Sequence, residues 1–208
     1  MIAKMLKPLL KTSPPRIVGS SSIKNVLASE VNIAVSANTS IGDLIVVIAR
    51  CRKDRSLSFT SGWNVILEES QGNSETDIKT YIAIKTSSGE TSVKIVQNAS
   101  AAMSAIVLSA KCKSATAVQR EAIDFTYNKR SYNSDLVLSY LCNNVGSGDL
   151  PSSSIIDKFQ IVDTSYYFST YYYYCILNHY NSTRTANVDI KINNINATSR
   201  YVIAIELY

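Results

Sequence analysis

The chain has 208 residues, 46% hydrophobic and 18% charged, with only 7 glycines and 4 prolines. This describes a folded protein with room for one substantial core or two small ones, and it excludes a collagen-like or wholly disordered chain. No apolar run approaches the roughly 20 residues of a membrane-spanning helix, so no membrane insertion is expected.

The net charge of +5 is unevenly placed. Lys4, Lys7, Lys11, Arg16 and Lys24 are the only charged residues before Glu30, and from Glu30 onward 16 basic residues balance 16 acidic ones. The opening "MIAKMLKPLLK" is a poor secretion signal, because lysines and Pro8 break its apolar stretch and no small-residue cleavage site follows. "TSPPRIVGSSS", Thr12 to Ser22, reads as a linker blocked by two prolines and solvated by serines. Residues 1–30 are therefore expected to form an extended basic arm on a neutral body, suited to anchoring on an anionic partner. A solvated tail is the plainer alternative.

From residue 31 the pattern turns to short β-type runs punctuated by turn residues. Strands are expected near 31–37, 43–51, 63–69, 77–86, 91–97 and 103–111. Ile78, Thr80, Ile82 and Ile84 alternate onto one face of theirs. Gly42-Asp43 suits a turn in which Asp43 bonds local backbone. Gly62 suits a bend that sends the Trp63 indole into the core, and Gly89-Glu90 reads as a hairpin turn.

Taken in order, "GDLIVVIARC" (Gly42–Cys51), "SGWNVILEE" (Ser61–Glu69), "IKTYIAIKTSSGETSVKI" (Ile78–Ile95) and "MSAIVLSAK" (Met103–Lys111) resemble a β-sandwich module of bacteriophage virion proteins. That module occurs in tail-fibre and head-associated settings, and the likeness covers about residues 31–112. The resemblance implies a surface-exposed structural subunit of a virion, made in the host cytoplasm. It implies a homo-oligomer, most commonly a trimer, that contacts other virion proteins, here through the arm.

The remaining expected strands lie near 135–142, 159–163, 165–177, 186–192 and 200–208. One of them holds "SYYFSTYYYYC", Ser165 to Cys175, with six of the 13 tyrosines. As a single strand it would carry aromatic side chains on both faces, Tyr167, Tyr171 and Tyr173 sharing one of them. Three readings stand: cross-strand packing, a contact between subunits, or a platform for a host-surface glycan. The block holds no lysine or arginine, so it lacks the electrostatic half of a nucleic-acid surface.

Signals for chemistry are sparse. Cys51, Cys112, Cys142 and Cys175 are far apart, no CxxC pair exists, and His179 is the lone histidine, so neither a zinc site nor a hydrolase triad is expected. The cysteines read as reduced, buried thiols. No phosphate-binding glycine loop is present, and no cofactor is expected. The expectation is an all-β antiparallel sandwich, jelly-roll-like, spanning 31–208 behind the basic arm, and not an enzyme.

Overall fold

The computed structural model describes residues 14–71, 78–120, 124–130, 134–144, 159–168, 172–180, 187–191 and 200–208. It is all-β, and the described residues contain no helix. In chain order the strands are β1 (Arg16–Ala34), β2 (Leu44–Arg52), β3 (Leu57–Phe59), β4 (Asn64–Gln71), β5 (Ile78–Thr86), β6 (Ser92–Lys111) and β7 (Ala115–Arg120). They continue with β8 (Asp124–Asn128), β9 (Asp135–Asn144), β10 (Phe159–Phe168), β11 (Tyr172–Tyr180), β12 (Asn187–Lys191) and β13 (Arg200–Leu207).

Every pairing is antiparallel. The first sheet runs β1-β6-β2-β5-β4, with β3 also on β6; the second runs β10-β11-β9-β13-β7; β8 and β12 form a separate pair. The two large sheets pack face to face in a sandwich-like arrangement. Leu44, Val46 and Ile48 of β2, with Ile82 of β5 and Ile106 of β6, share one core with Val137 of β9 and Ile203 and Ile205 of β13.

The opposite face of β2 is buried as well. Ile45, Val47 and Ala49 pack with Tyr81, Met103 and Val107 into a second core. Its lid is the first sheet itself, because Val31, Ile33, Leu57, Val93 and Ile95 from the far halves of β1 and β6 and from β3 belong to the same cluster. A strand buried on both faces needs apolar residues at every position, and "LIVVIA" supplies them. The ribbon of β1 and β6 bends where Ala28 pairs with Ala101 and Glu30 with Val96. At that bend the buried Gln97 side-chain amide reaches the carbonyls of Ala28, Ala99 and Ala101 at 3.3, 2.8 and 3.1 Å. Those contacts satisfy backbone groups that the ladder leaves free there.

Four expectations are corrected. Residues 16–30, assigned to the arm, belong to β1, paired along β6 from Arg16↔Lys111 onward. An open edge of β6 supplies the hydrogen-bond partners that local composition does not advertise, and Gly19 leaves room for Ser36, whose side chain a Cβ would strike. The runs 91–97 and 103–111 are one strand. Strands at 57–59, 115–120 and 124–128 were not expected, being too short for a clear period. The stretch 165–177 is not one strand, as its residues divide between β10 and β11. Met1–Ser13, with Lys4, Lys7 and Lys11, lie outside the described residues.

Candidate functional site

Of the arm residues, Arg16 and Lys24 are exposed along β1. They act there as charges on a sheet-edge strand, which discourages edge-to-edge pairing. Trp63 sits just before β4 and is half-buried at the rim of the second core, its ring 5.8 Å from that of Phe59 at a 37° tilt. It packs against the core rather than filling it.

The tyrosine block is placed by its backbone. Tyr166 pairs with Tyr174, Tyr167 with Tyr173 and Phe168 with Tyr172, and the β11 tyrosines pair in turn with Asn144, Asn143 and Cys142 of β9. By backbone register, then, these aromatic residues are partners of one another on neighbouring strands. Tyr171 lies outside the described residues. Of the cysteines, Cys51 is buried and Cys112 half-buried, both free, and burial pushes each thiol up to about 12. Among the described residues no group of three His, Cys, Asp or Glu side chains could hold a metal ion.

The side chains that do converge lie on the outer face of the second sheet, beneath the β8/β12 pair. Glu206 of β13 is fully buried and accepts three hydrogen bonds: from the Tyr127 hydroxyl at 3.1 Å, from the Arg130 backbone N–H at 2.7 Å, and from the Ser134 hydroxyl. Burial, and then the Glu206 charge, hold the Tyr127 phenol up at about 12, so it stays a donor. Thr116 of β7 is the register neighbour of Glu206 and also bonds Tyr127.

Beside this network β7 and β8 diverge, because β7 pairs with β13 while β8 pairs with β12. The gap is an open cleft of about 270 Å³ lined by Thr116, Ala117, Val118, Arg120, Thr126, Tyr127, Asn128 and Arg130. Its lining among the described residues contains two arginines and no acid. Neither guanidinium forms an ion pair among the described residues; Arg120 Nη1 bonds the Gln119 carbonyl at 3.2 Å, and Arg130 lies 5.7 Å from the Tyr208 ring centroid. Beside the cleft, Asp189 accepts from the Thr126 hydroxyl at 2.7 Å.

A second polar cluster lies inside the sandwich. Arg50 of β2 is fully buried, and its Nη2 donates to the Ser139 hydroxyl at 2.6 Å across the sheet interface. Its Nε and Nη1 have no hydrogen-bond partner, and neither does the hydroxyl of Ser104, its register partner on β6. Nearby, Thr80 donates to Gln71 at 3.1 Å, and Gln71 donates to Gln119 of the second sheet.

None of the cleft or network residues is marked by a motif. One signal was present: in "VIAIELY" the alternation puts Glu206 on a face with Val202 and Ala204, and a carboxylate sharing a face with core residues must find donors. Arg120 and Arg130 carried no such signal, since an exposed arginine at the end of a short β-run or just past one resembles any solvated charge. No protein-family profile, curated protein or solved structure matches this chain.

Proposed function

We infer that the chain is a structural component of a bacteriophage virion: a surface-exposed head-decoration, head-fibre or tail-appendage subunit, built on a jelly-roll-like sandwich and assembled as a homotrimer. The observation that carries this reading is where the motif stretches fall. The four stretches that resemble the virion module form the contiguous strands β6, β2, β5 and β4 of the first sheet. Each motif glycine works there in a left-handed turn, with φ of 90° at Gly42, 89° at Gly62 and 103° at Gly89. Asp43, beside the first, accepts from the Ser40 backbone N–H at 2.8 Å. A likeness whose pieces occupy one structural unit, each with a physical task, is more informative than the same pieces scattered. A sheet with cores on both faces also suits a rigid subunit.

On this reading, anchoring belongs to residues 1–15, since the later part of the arm is a strand. The test compares the full chain with one that starts at Arg16. Loss of particle association, with fold and stability kept, supports the anchored subunit; retained association counts against it. Light scattering on both chains gives the assembly state. A trimer in both places the contact in the sandwich, and a monomer in both removes the support for an appendage.

A further inference from the structure

The cleft between β7 and β8 has features that no structural role uses. Along β7, Thr116 is the register partner of Glu206 and Arg120 of Val202, so the two residues are about 13 Å apart at the usual strand rise. The Arg130 backbone N–H binds Glu206, which puts Arg130 at the Thr116 end. An unpaired guanidinium therefore marks each end of the cleft. Close by, the Lys129 ammonium is buried without a hydrogen-bond partner, although it is not part of the wall.

Between the two arginines the wall changes character. The Thr126 hydroxyl proton is given to Asp189 and the Tyr127 proton to Glu206. The Thr126 oxygen therefore faces a ligand with acceptor capacity, and the Asn128 amide both donates and accepts. Donor-only groups at the ends with acceptors between them match a ligand that has an acidic group and several hydroxyl donors. A polyphosphate offers acceptors alone and would leave the middle of the wall unmatched. An acidic peptide such as hexaglutamate offers carboxylates but no hydroxyl donors for the middle of the wall. The volume suits one or two sugar rings.

We propose that this cleft binds an acidic saccharide, with Arg120 and Arg130 taking its carboxylate or sulfate groups and Thr126 and Asn128 its ring hydroxyls. The glycan site is thereby placed away from the tyrosine block, and it stands whether or not the chain belongs to a virion. Guanidinium groups suit this task because they bind carboxylate or sulfate in a bidentate way.

Calorimetric titration of the full chain tests it, using a galacturonate trisaccharide, a sulfated disaccharide, neutral maltotriose and hexaglutamate. Saturable binding of the galacturonate or the sulfated sugar is expected, with the stronger of the two naming the acid group. Maltotriose should bind at least about tenfold more weakly, and Arg120→Gln or Arg130→Gln should each cost about tenfold or more. Both arginines are exposed, so the variants should fold; thermal melting checks this, and Asn128→Ala provides a third reading from the middle of the wall. The proposal is overturned if maltotriose binds as well as the acidic sugars, if hexaglutamate binds better, if all three variants bind like the parent, or if no probe binds.

Discussion

Arg50 is a cation held fully inside the sandwich with one hydrogen bond to Ser139 and no carboxylate among its described contacts. Arginine stays protonated even when buried, and an uncompensated internal charge costs several kcal/mol. Arg50→Met keeps most of the volume and removes the charge, so it should raise stability by ~1–4 kcal/mol in urea unfolding. A loss instead would mean that the guanidinium is held favourably by its surroundings. Glu90 is the opposite case. Burial works against its charge, but Lys85 at 2.6 Å and the Ser88 hydroxyl and N–H at 2.7 and 2.8 Å outweigh that and hold its carboxyl down at about 2. A carboxyl lowered on folding stabilises above its unfolded value of 4.5, and that contribution disappears as pH falls toward 2. Glu90→Gln should therefore cost about 1 kcal/mol at neutral pH, with the gap closing through that acid window. A gap that persists below the window would point to a packing effect. The Gly89-Glu90 turn was readable in the sequence because turn chemistry is local. The isolation of Arg50 was not, since it depends on what the facing sheet brings.

At the level of elements, the paired β1 and β6 ribbon is the longest ladder among the described strands. Its first half lines the edge of the first sheet, and its second half bends over to close the second core. A chain starting at Val31 loses the whole pairing between residues 16–28 and 101–111, together with Ile23, Val26 and Ala28 from the second core. It should lose on the order of 5 kcal/mol, at roughly 0.5–1.5 kcal/mol per net hydrogen bond plus the apolar burial, and its bared β6 edge should promote aggregation. A chain starting at Arg16 should unfold like the full chain. Equal stability of all three in denaturant unfolding would disprove the role given to β1. In the sequence, β2, β4, β5 and β13 stood out through apolar residues and turn glycines. β1 did not, because "GSSS" looks like solvated linker until an unpaired neighbouring edge recruits it. The tyrosine block misled in the opposite way: an aromatic-rich run suggests one strand, whereas Tyr166 and Tyr167 are register partners of Tyr174 and Tyr173 across β10 and β11.

Across the whole molecule, β2 is the common wall of both cores, which ties them to one strand. Unfolding should then be a single transition. Trp63 fluorescence reports on the second core and far-UV circular dichroism on all the sheets, and their denaturant curves should coincide. A fluorescence change that precedes the loss of ellipticity would show that the folded-over ribbon opens by itself. With its contacts dominated by pairings distant in sequence, the chain should also refold slowly, in milliseconds to seconds.

The sequence by itself determined the class of this protein. Period-two alternation, a continuous apolar run for a strand covered on both faces, and glycines at the turns are properties of a few adjacent residues. They name an antiparallel all-β fold before any partner is known. Only the tertiary structure decided which edges meet, that β1 joins β6, that Arg50 and Glu206 lie inside, and that two diverging strands leave a cleft ended by two arginines. Strand pairing and burial are set by residues tens of positions apart, and a backbone hydrogen-bond edge looks the same in sequence whatever comes to lie against it.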